Sequence, residues 1–332
     1  SKPGRSSRPG NAVPELPEVE VVRAGLAPAV DGALVASATI FDERSLRRHP
    51  GPSEDFLDRL IGRRMLVPKR RGKFMWIPLS PAHSEIQDLT HDVPVAPGLS
   101  AAPIAVTPEF PNEALVVHLG MSGQVLLRGP HADDALTRIR LDLEHPEHGA
   151  VRLNFVDQRI FGSMALDTLL PSPDQPNELV PTQVGHIARD PLDVHFDDGL
   201  FIARLAAKHT TIKRAMLDQT LISGIGNIYA DEALWAARIH YDQPTASLSR
   251  QRVRLLLAEV RSVLTRALAE GGTSFDSQYL NANGQSGYFS HSLNAYGQQG
   301  KPCARCSRPI VREQFMNRGS HFCPRCQRLR QP

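Results

Sequence analysis

The sequence predicts an α+β chain in three parts: an N-terminal β-sandwich with flanking helices, a helical middle, and a small cysteine module at the end. Three observations carry this. Short runs of alternating apolar residues crowd the first half, one long apolar stripe at helical spacing occupies residues 249–270, and all four cysteines fall between residues 303 and 326. With 332 residues and a 41% hydrophobic fraction, there is room for two ordinary domains and a third, minor one.

Residues 1–13 are rich in Ser, Pro, Gly, Lys and Arg, lack apolar periodicity and read as a disordered tail. They are too short and not amphipathic enough for a transit peptide. From Pro17, the positions Val19, Val22, Leu26 and Val30 follow helical spacing. The stretches Ala33–Phe41, Lys73–Leu79, Ala114–Leu119, Ile139–Leu143 and Val151–Phe155 read as strands of an antiparallel sandwich spanning 14–180. Residues 78–111 hold seven prolines and no period, so 80–113 is taken as a flexible insertion between two strands. A helical domain is expected over 181–300, with helices at Leu200–Leu217, Ile228–Ala237 and Ser249–Glu270. The stripe Val253, Leu256, Leu257, Val260, Val263, Leu264 and Ala267 reads as core, and Gly271-Gly272 stops the helix. Residues 271–300 are rich in Gly, Ser, Asn, Gln and Tyr and read as a mobile loop; the cysteine module fills 301–332.

The formal net charge of +3 says little by itself, because Lys2, Arg5 and Arg8 sit in the acid-free tail and the remainder balances at 35 basic against 35 acidic residues. Distribution is informative. From Lys301 to Pro332 there are eight Lys or Arg and one acid, and Arg204–Arg214 holds four basic residues and no acid, whereas Ser80–Ala114 holds five acids and no Lys or Arg. Two positive patches point to nucleic acid. No stretch approaches the ~18 apolar residues of a membrane span, and the N-terminus has no apolar signal core, so a cytoplasmic protein is expected, associated with the nucleoid.

Cys303-x-x-Cys306 and Cys323-x-x-Cys326, sixteen residues apart, form two knuckles that can offer four thiolates tetrahedrally to one zinc ion. Four protein ligands leave no open position, so the zinc is structural. The hairpin between the knuckles would present Arg312 and Arg318 on a strongly basic module, where they become phosphate contacts rather than solvated surface. Thr210–Trp235 reads helix, turn, helix. The turn Ser223-Gly224-Ile225-Gly226-Asn227 would place backbone N–H groups at a helix N-terminus, a site that attracts phosphate, with Lys213 on the same basic strip.

The run Pro14-Glu15-Leu16-Pro17-Glu18-Val19-Glu20 resembles the start of the formamidopyrimidine-DNA glycosylase family. So do Lys69–Lys73, His118-Leu119-Gly120-Met121-Ser122-Gly123, Asp157-Gln158-Arg159-Ile160-Phe161-Gly162, Gly224–Ala230 and the cysteine module, in the family's order and covering nearly all of the chain from Pro14. The resemblance implies a helix–two-turn–helix element around Lys213 and Asn227. It also implies excision of oxidised purines such as 8-oxoguanine from double-stranded damaged DNA, with cleavage of the abasic strand by β,δ-elimination. On the matching positions, Pro14 is the nucleophile, Glu15 protonates the departing sugar oxygen, and Lys73 and Arg318 serve the later eliminations. Arginine is a reluctant acid, which makes Arg318 easier to understand as a phosphate clamp. Met121, Arg159 and Phe161 match the residues that fill the gap left by the flipped base. Lys208 and His209 fall where phosphate contacts are expected, and Glu18 is read as structural. Gly271–Ser274 and Gly287-Tyr288-Phe289 look like the lesion-capping loop of the oxidised-purine branch. The sequence departs from the family pattern at Gln158, Ile160 and His209 and around Leu136–Arg138.

One chemical condition governs this reading. Proline is a nucleophile only as the first residue, where its nitrogen is an amine. The expectation is that translation starts at a GTG codon written as Val13 and read as initiator Met, whose removal exposes Pro14. With residues 1–13 retained, the alternative is a non-catalytic lesion-binding protein. An oxidised-pyrimidine glycosylase of the endonuclease VIII-like branch is a third reading, disfavoured by the long loop. A monomer is expected.

Overall fold

The computed structural model describes residues 14–81, 111–271 and 292–330. Three of the expectations above, the 1–13 tail, most of the 80–113 insertion and most of the 271–300 loop, lie outside the described residues.

Helix α1 (Leu16–Val30) buries Val19, Val22, Leu26 and Val30 against a two-sheet sandwich. The first sheet orders β1 (Leu34–Ile40), β6 (Thr137–His145), β7 (Gly149–Asp157) and β5 (Gly123–Arg128). The second orders β2 (Lys69–Arg71), β3 (Phe74–Pro78), β4 (Glu113–His118), β8 (Ser163–Pro171) and β9 (Leu179–Pro181). All pairings are antiparallel. Met75, Ile77, Leu115 and Val117 from one sheet meet Leu141, Leu153 and Phe155 from the other, the alternation that the sequence displays. The short amphipathic helix α2 (Ser53–Leu60) adds Phe56 and Leu60 to this core. The sequence reading did not name α2, β5 or β8.

Strands β3 and β4 pair from Phe74↔His118 to Pro78↔Ala114. The insertion therefore joins adjacent strand ends and leaves the hairpin register intact. It departs from the end opposite His118, about 13 Å away along the strands.

The helical domain has α3 (Asp198–Ala206), α4 (Ile212–Met216), α5 (Asn227–Ala237) and α6 (Arg250–Ala269). The single helix expected over Leu200–Leu217 is thus broken in two. The break follows from tertiary hydrogen bonds: Thr245 donates its N–H to Thr210 O (2.9 Å) and its hydroxyl to Lys208 O (2.6 Å), and Ile212 N–H is drawn to Gln243 O (2.8 Å). Helix α6 is capped by Ser249, whose hydroxyl accepts from Arg252 N–H, and its expected stripe is buried. Helix α5 is buried on almost every face, between α6 and the final hairpin β10 (Val311–Phe315)–β11 (Arg318–Phe322).

The two large domains meet through α1. Its last four core positions belong to the sandwich, while Leu16, fully buried, belongs to the helical core and donates its N–H to Gly224 O at 2.9 Å. Arg70 reinforces the joint, bonding Glu20 of α1 (2.8 Å) and Asp190 of the connecting segment (3.0 Å). Leu16→Ala should cost about 2–5 kcal/mol in urea denaturation; a loss below about 1 kcal/mol would show that the joint does not depend on this side chain.

Candidate active site

Glu15 stands just before α1, and its carboxylate is buried on the N-terminus of α5. Oε2 accepts from Gly226 N–H (2.8 Å) and Tyr229 N–H (3.2 Å), and Oε1 from Ile228 N–H (2.9 Å). The glycines of the 223–227 turn make room for this contact. A Cβ on Gly226 would lie 2.5 Å from Glu15 Cδ, and one on Gly224, which is in the left-handed region at φ +85°, would lie 2.7 Å from Leu16. The turn was expected to receive phosphate; its N–H groups are taken by this internal carboxylate instead. The expectation rested on the correct physics of a helix N-terminus, applied to the wrong anion.

Burial pushes the Glu15 carboxyl up to about 7, against the opposing pull of Lys73 and the Ile228 and Gly226 N–H donors. Lys73, half-buried beside it, is held below the usual lysine range by desolvation, with Glu15 opposing the shift and Arg318 adding to it. Glu15, next to Pro14 ahead of α1, Lys73 in the turn after β2 and Arg318 at the start of β11 come from distant segments, and the fold sets Lys73 within electrostatic reach of both Glu15 and Arg318. Glu18 is a bracing group: it accepts the Glu15 N–H (3.0 Å) and the Tyr229 hydroxyl (2.8 Å).

The three candidate gap-fillers lie on two turns that touch. A Cβ on Gly120 would overlap the backbone of Phe161 and Gly162, which places the Met121 turn directly against the Arg159–Phe161 turn. Asp157 gathers them: its carboxylate accepts from Ser122 Oγ (2.6 Å), Arg159 N–H (3.1 Å) and Gly162 N–H (2.7 Å). Ile160 is held at φ +58°, a strained conformation for a β-branched residue, and Arg47 donates to its carbonyl and to that of Phe161. Phe161 is 47% exposed, an apolar ring held out toward solvent.

Three further residues, His118, Arg47 and Arg48, meet near this edge. His118 lies at the end of β4, its ring tilted against Phe74 with centroids 4.7 Å apart and Nδ1 accepting from Gly120 N–H at 3.1 Å. Burial, Arg48, Lys73 and Arg47 hold its ring down to about 4, so it is neutral and carries its proton on Nε2. Arg47 and Arg48 belong to no motif in the sequence, and the fold sets them beside His118.

The basic strip of the helical domain divides into paired, buried and exposed residues. Lys208 is paired with Asp218. Lys213 is fully buried, bonded to Asp231 Oδ1 (2.7 Å) and Ser320 Oγ (2.7 Å), and Asn227 is buried with Nδ2 donating to Gly319 O (3.1 Å). Both side chains are turned toward the β10–β11 hairpin. Of the strip, His209, Arg204 and Arg214 are exposed, as is Arg318 at the finger.

The thiol sulfurs of Cys303, Cys306, Cys323 and Cys326 all lie within 4.8 Å of one another, and Cys306 Sγ is 3.5 Å from Cys323 Sγ with no disulfide formed. Sulfurs around a tetrahedral zinc are about 3.8 Å apart, so the set fits one zinc ion and leaves no open coordination position.

The formamidopyrimidine-DNA glycosylase N-terminal domain matches residues 13–164, its H2TH domain residues 187–278, and a zinc finger found in FPG and IleRS residues 300–329. Over 325 residues the chain is 58% identical to the formamidopyrimidine-DNA glycosylase of Leifsonia xyli subsp. xyli, covering 96% of this chain and 100% of that one. The chain belongs to the formamidopyrimidine-DNA glycosylase family. Its relative in Nocardia farcinica is 50% identical, with 95% and 98% covered. Among solved structures, formamidopyrimidine-DNA glycosylase from Thermus thermophilus matches with a TM-score of 0.72 at 30% identity, over 96% of this chain and 100% of that one. The Lactococcus lactis enzyme in complex with abasic-site DNA matches at 0.73 and 27%, over 95% and 99%. As a formamidopyrimidine-DNA glycosylase the chain is a DNA-binding enzyme of DNA repair whose finger holds one structural zinc ion. No helix among the described residues is long and apolar enough to cross a membrane.

Two outcomes follow from this geometry. Because folding raises the Glu15 pKa from 4.5 to about 7, the stability of the protein relative to Glu15→Gln should be greatest below about pH 4.5. It should fall by about 3 kcal/mol as the pH rises through about 7 and be flat above about pH 8. A flat difference across that whole window in denaturant titrations would refute the shift. Removing zinc with a chelator should unfold the finger and weaken duplex binding at least about 10-fold while leaving the far-ultraviolet spectrum of the sandwich in place, since such sites contribute roughly 10–16 kcal/mol to small modules.

Proposed function

We propose that this protein excises oxidised purines, 8-oxoguanine and formamidopyrimidines, from double-stranded DNA and cleaves the resulting abasic strand, with Pro14 as nucleophile. The observation that carries the proposal is the buried Glu15, neighbour of Pro14 in sequence, seated on the α5 N-terminus with its carboxyl near 7 and Lys73 alongside.

The chemistry runs in balanced steps. The Pro14 amine, as residue one, attacks the sugar C1′ and the glycosidic bond breaks, and the proton shed by the proline nitrogen goes to the released base. The sugar ring opens as C1′–O4′ breaks. Glu15, protonated in a useful fraction near neutral pH, gives its proton to O4′, and an iminium joins Pro14 to C1′. Loss of a C2′ proton then expels the 3′ phosphate, and a second elimination expels the 5′ phosphate. Lys73, its pKa lowered by desolvation, is suited to proton transfer in these steps. Arg318 clamps phosphate, and the exposed His209 is a further contact.

Before chemistry the base leaves the stack, at a cost of a few kcal/mol. Met121 and Phe161 are apolar wedges for the vacated space, and Arg159 is a donor for the orphaned base on the opposite strand. Asp157 orders both turns in advance. The purine reading is supported by the residues Gly287-Tyr288-Phe289 and by the Lactococcus lactis relative, a mutant of which is seen in complex with Fapy-dG containing DNA at a TM-score of 0.74. The same relative is also seen with an oxidised-pyrimidine DNA, so that class is the second reading. The working unit is taken as a monomer acting in the cytoplasm on the nucleoid.

Borohydride trapping on an 8-oxoguanine duplex tests the mechanism. A protein beginning at Pro14 should give a covalent adduct, and Pro14→Gly should abolish it while duplex binding stays within about 3-fold; undiminished strand cutting by Pro14→Gly would refute the nucleophile. Protein that retains residues 1–13 should bind and give no adduct. Cleavage of thymine glycol without cleavage of 8-oxoguanine would overturn the purine reading.

A further inference from the structure

The two inward-turned residues of the helical domain converge on one atom. Gly319 O accepts from Asn227 Nδ2 at 3.1 Å and from Lys213 Nζ at 3.3 Å. Lys213 Nζ also donates to Ser320 Oγ at 2.7 Å and pairs with Asp231 Oδ1 at 2.7 Å. The other Asp231 oxygen accepts the His321 N–H (3.0 Å) and faces its Nδ1 (2.9 Å). Gly319, Ser320 and His321 are consecutive in β11, and the residue that begins the strand is Arg318. The side chains of Lys213 and Asp231 are 0% and 1% exposed. The Arg312 side chain packs against Gly319, where a Cβ would displace it. Phe315, the strand partner of Arg318, lies under the Lys213 ammonium at 4.7 Å.

Taking two charges out of water costs several kcal/mol per ion. A buried pair of this kind is weak evidence of stability and better understood as fixing a position. What it fixes here is the start of β11, the strand that presents Arg318 beside Lys73 and Glu15.

We infer that Lys213 is a positioning residue: with Asp231 and Asn227 it seats the zinc hairpin on the helical domain so that Arg318 faces the DNA, and it touches no phosphate itself. This rests on Arg318 as a phosphate contact, part of the function proposed above. It differs from the expectation drawn from the basic strip, in which Lys213 meets DNA directly.

The test compares Lys213→Met, Arg318→Ala and the double variant in the full zinc-loaded protein. Binding to a duplex carrying a tetrahydrofuran abasic analogue is measured between about 50 and 200 mM salt, since each phosphate contact contributes about 0.9 to the slope of log K against log salt. Each single variant should lower the slope by about one, and the double variant should lose no more than a single one. A double variant that loses about two would show that Lys213 makes its own contact and would overturn the inference, as would a wild-type slope in Lys213→Met. Hydrogen exchange of the 318–322 strand, without DNA, gives an independent reading: faster exchange in Lys213→Met supports the seat, and unchanged exchange overturns it. An unchanged slope in Arg318→Ala would defeat the phosphate role of Arg318 while the exchange result still decides the seat. Should Lys213→Met lose zinc, Ser320→Ala removes one contact and leaves the ion pair; it should shift both readouts in the same direction, and no shift would overturn the inference.

Discussion

The burial of one carboxylate organises this protein. Glu15 has to leave water to lie over the N-terminus of α5, and three backbone N–H groups make that tolerable. Those donors are available only because residues 224 and 226 are glycines, which allow Leu16 and Glu15 to approach the turn. The contact joins the first residues of the sandwich domain to the centre of the helical domain. It therefore sets the relation of the two domains and the ionisation of the acid in the same stroke. Burial raises the Glu15 pKa while the donors and Lys73 restrain the rise, leaving it near 7, where a carboxyl can serve as an acid at neutral pH.

Around this seat, polar groups that look like ligand contacts are committed to architecture. Asp157 holds two turns together, Glu232 accepts the N–H groups of Asn294, Ala295 and Tyr296 (2.9, 2.8 and 2.8 Å), and Asp231 carries the zinc hairpin. Each is a buried carboxylate collecting donors from a different segment. Arg159 and Phe161 sit on backbone that Asp157 holds, and Arg318 begins the strand that Asp231 holds. Precision is thereby obtained at turns and at the end of a strand.

Some of this was legible in the residues. Alternation and helical stripes disclosed the sandwich, α1 and α6, because a buried face imposes its period on a strand or helix directly. The four cysteines disclosed the zinc site, because tetrahedral thiolate coordination demands close pairs. The motif order disclosed the family. Elements such as β5, β8 and α2 escaped, being short segments whose period cannot be separated from noise over lengths of six to nine residues.

What the sequence determined by itself was composition-limited chemistry: which residues can attack, protonate, bind metal or stack. It could not decide which charged groups face outward. Lys213 and Arg318 are both cations in basic stretches, yet one is sealed against Asp231 and the other is exposed. Glu15 and the Gly224–Asn227 turn lie more than two hundred residues apart, and nothing local says that the turn's N–H groups will meet an internal carboxylate before they meet phosphate. Burial and partner choice are properties of the assembled core, where desolvation decides between competing counter-charges, and only the tertiary structure makes that choice.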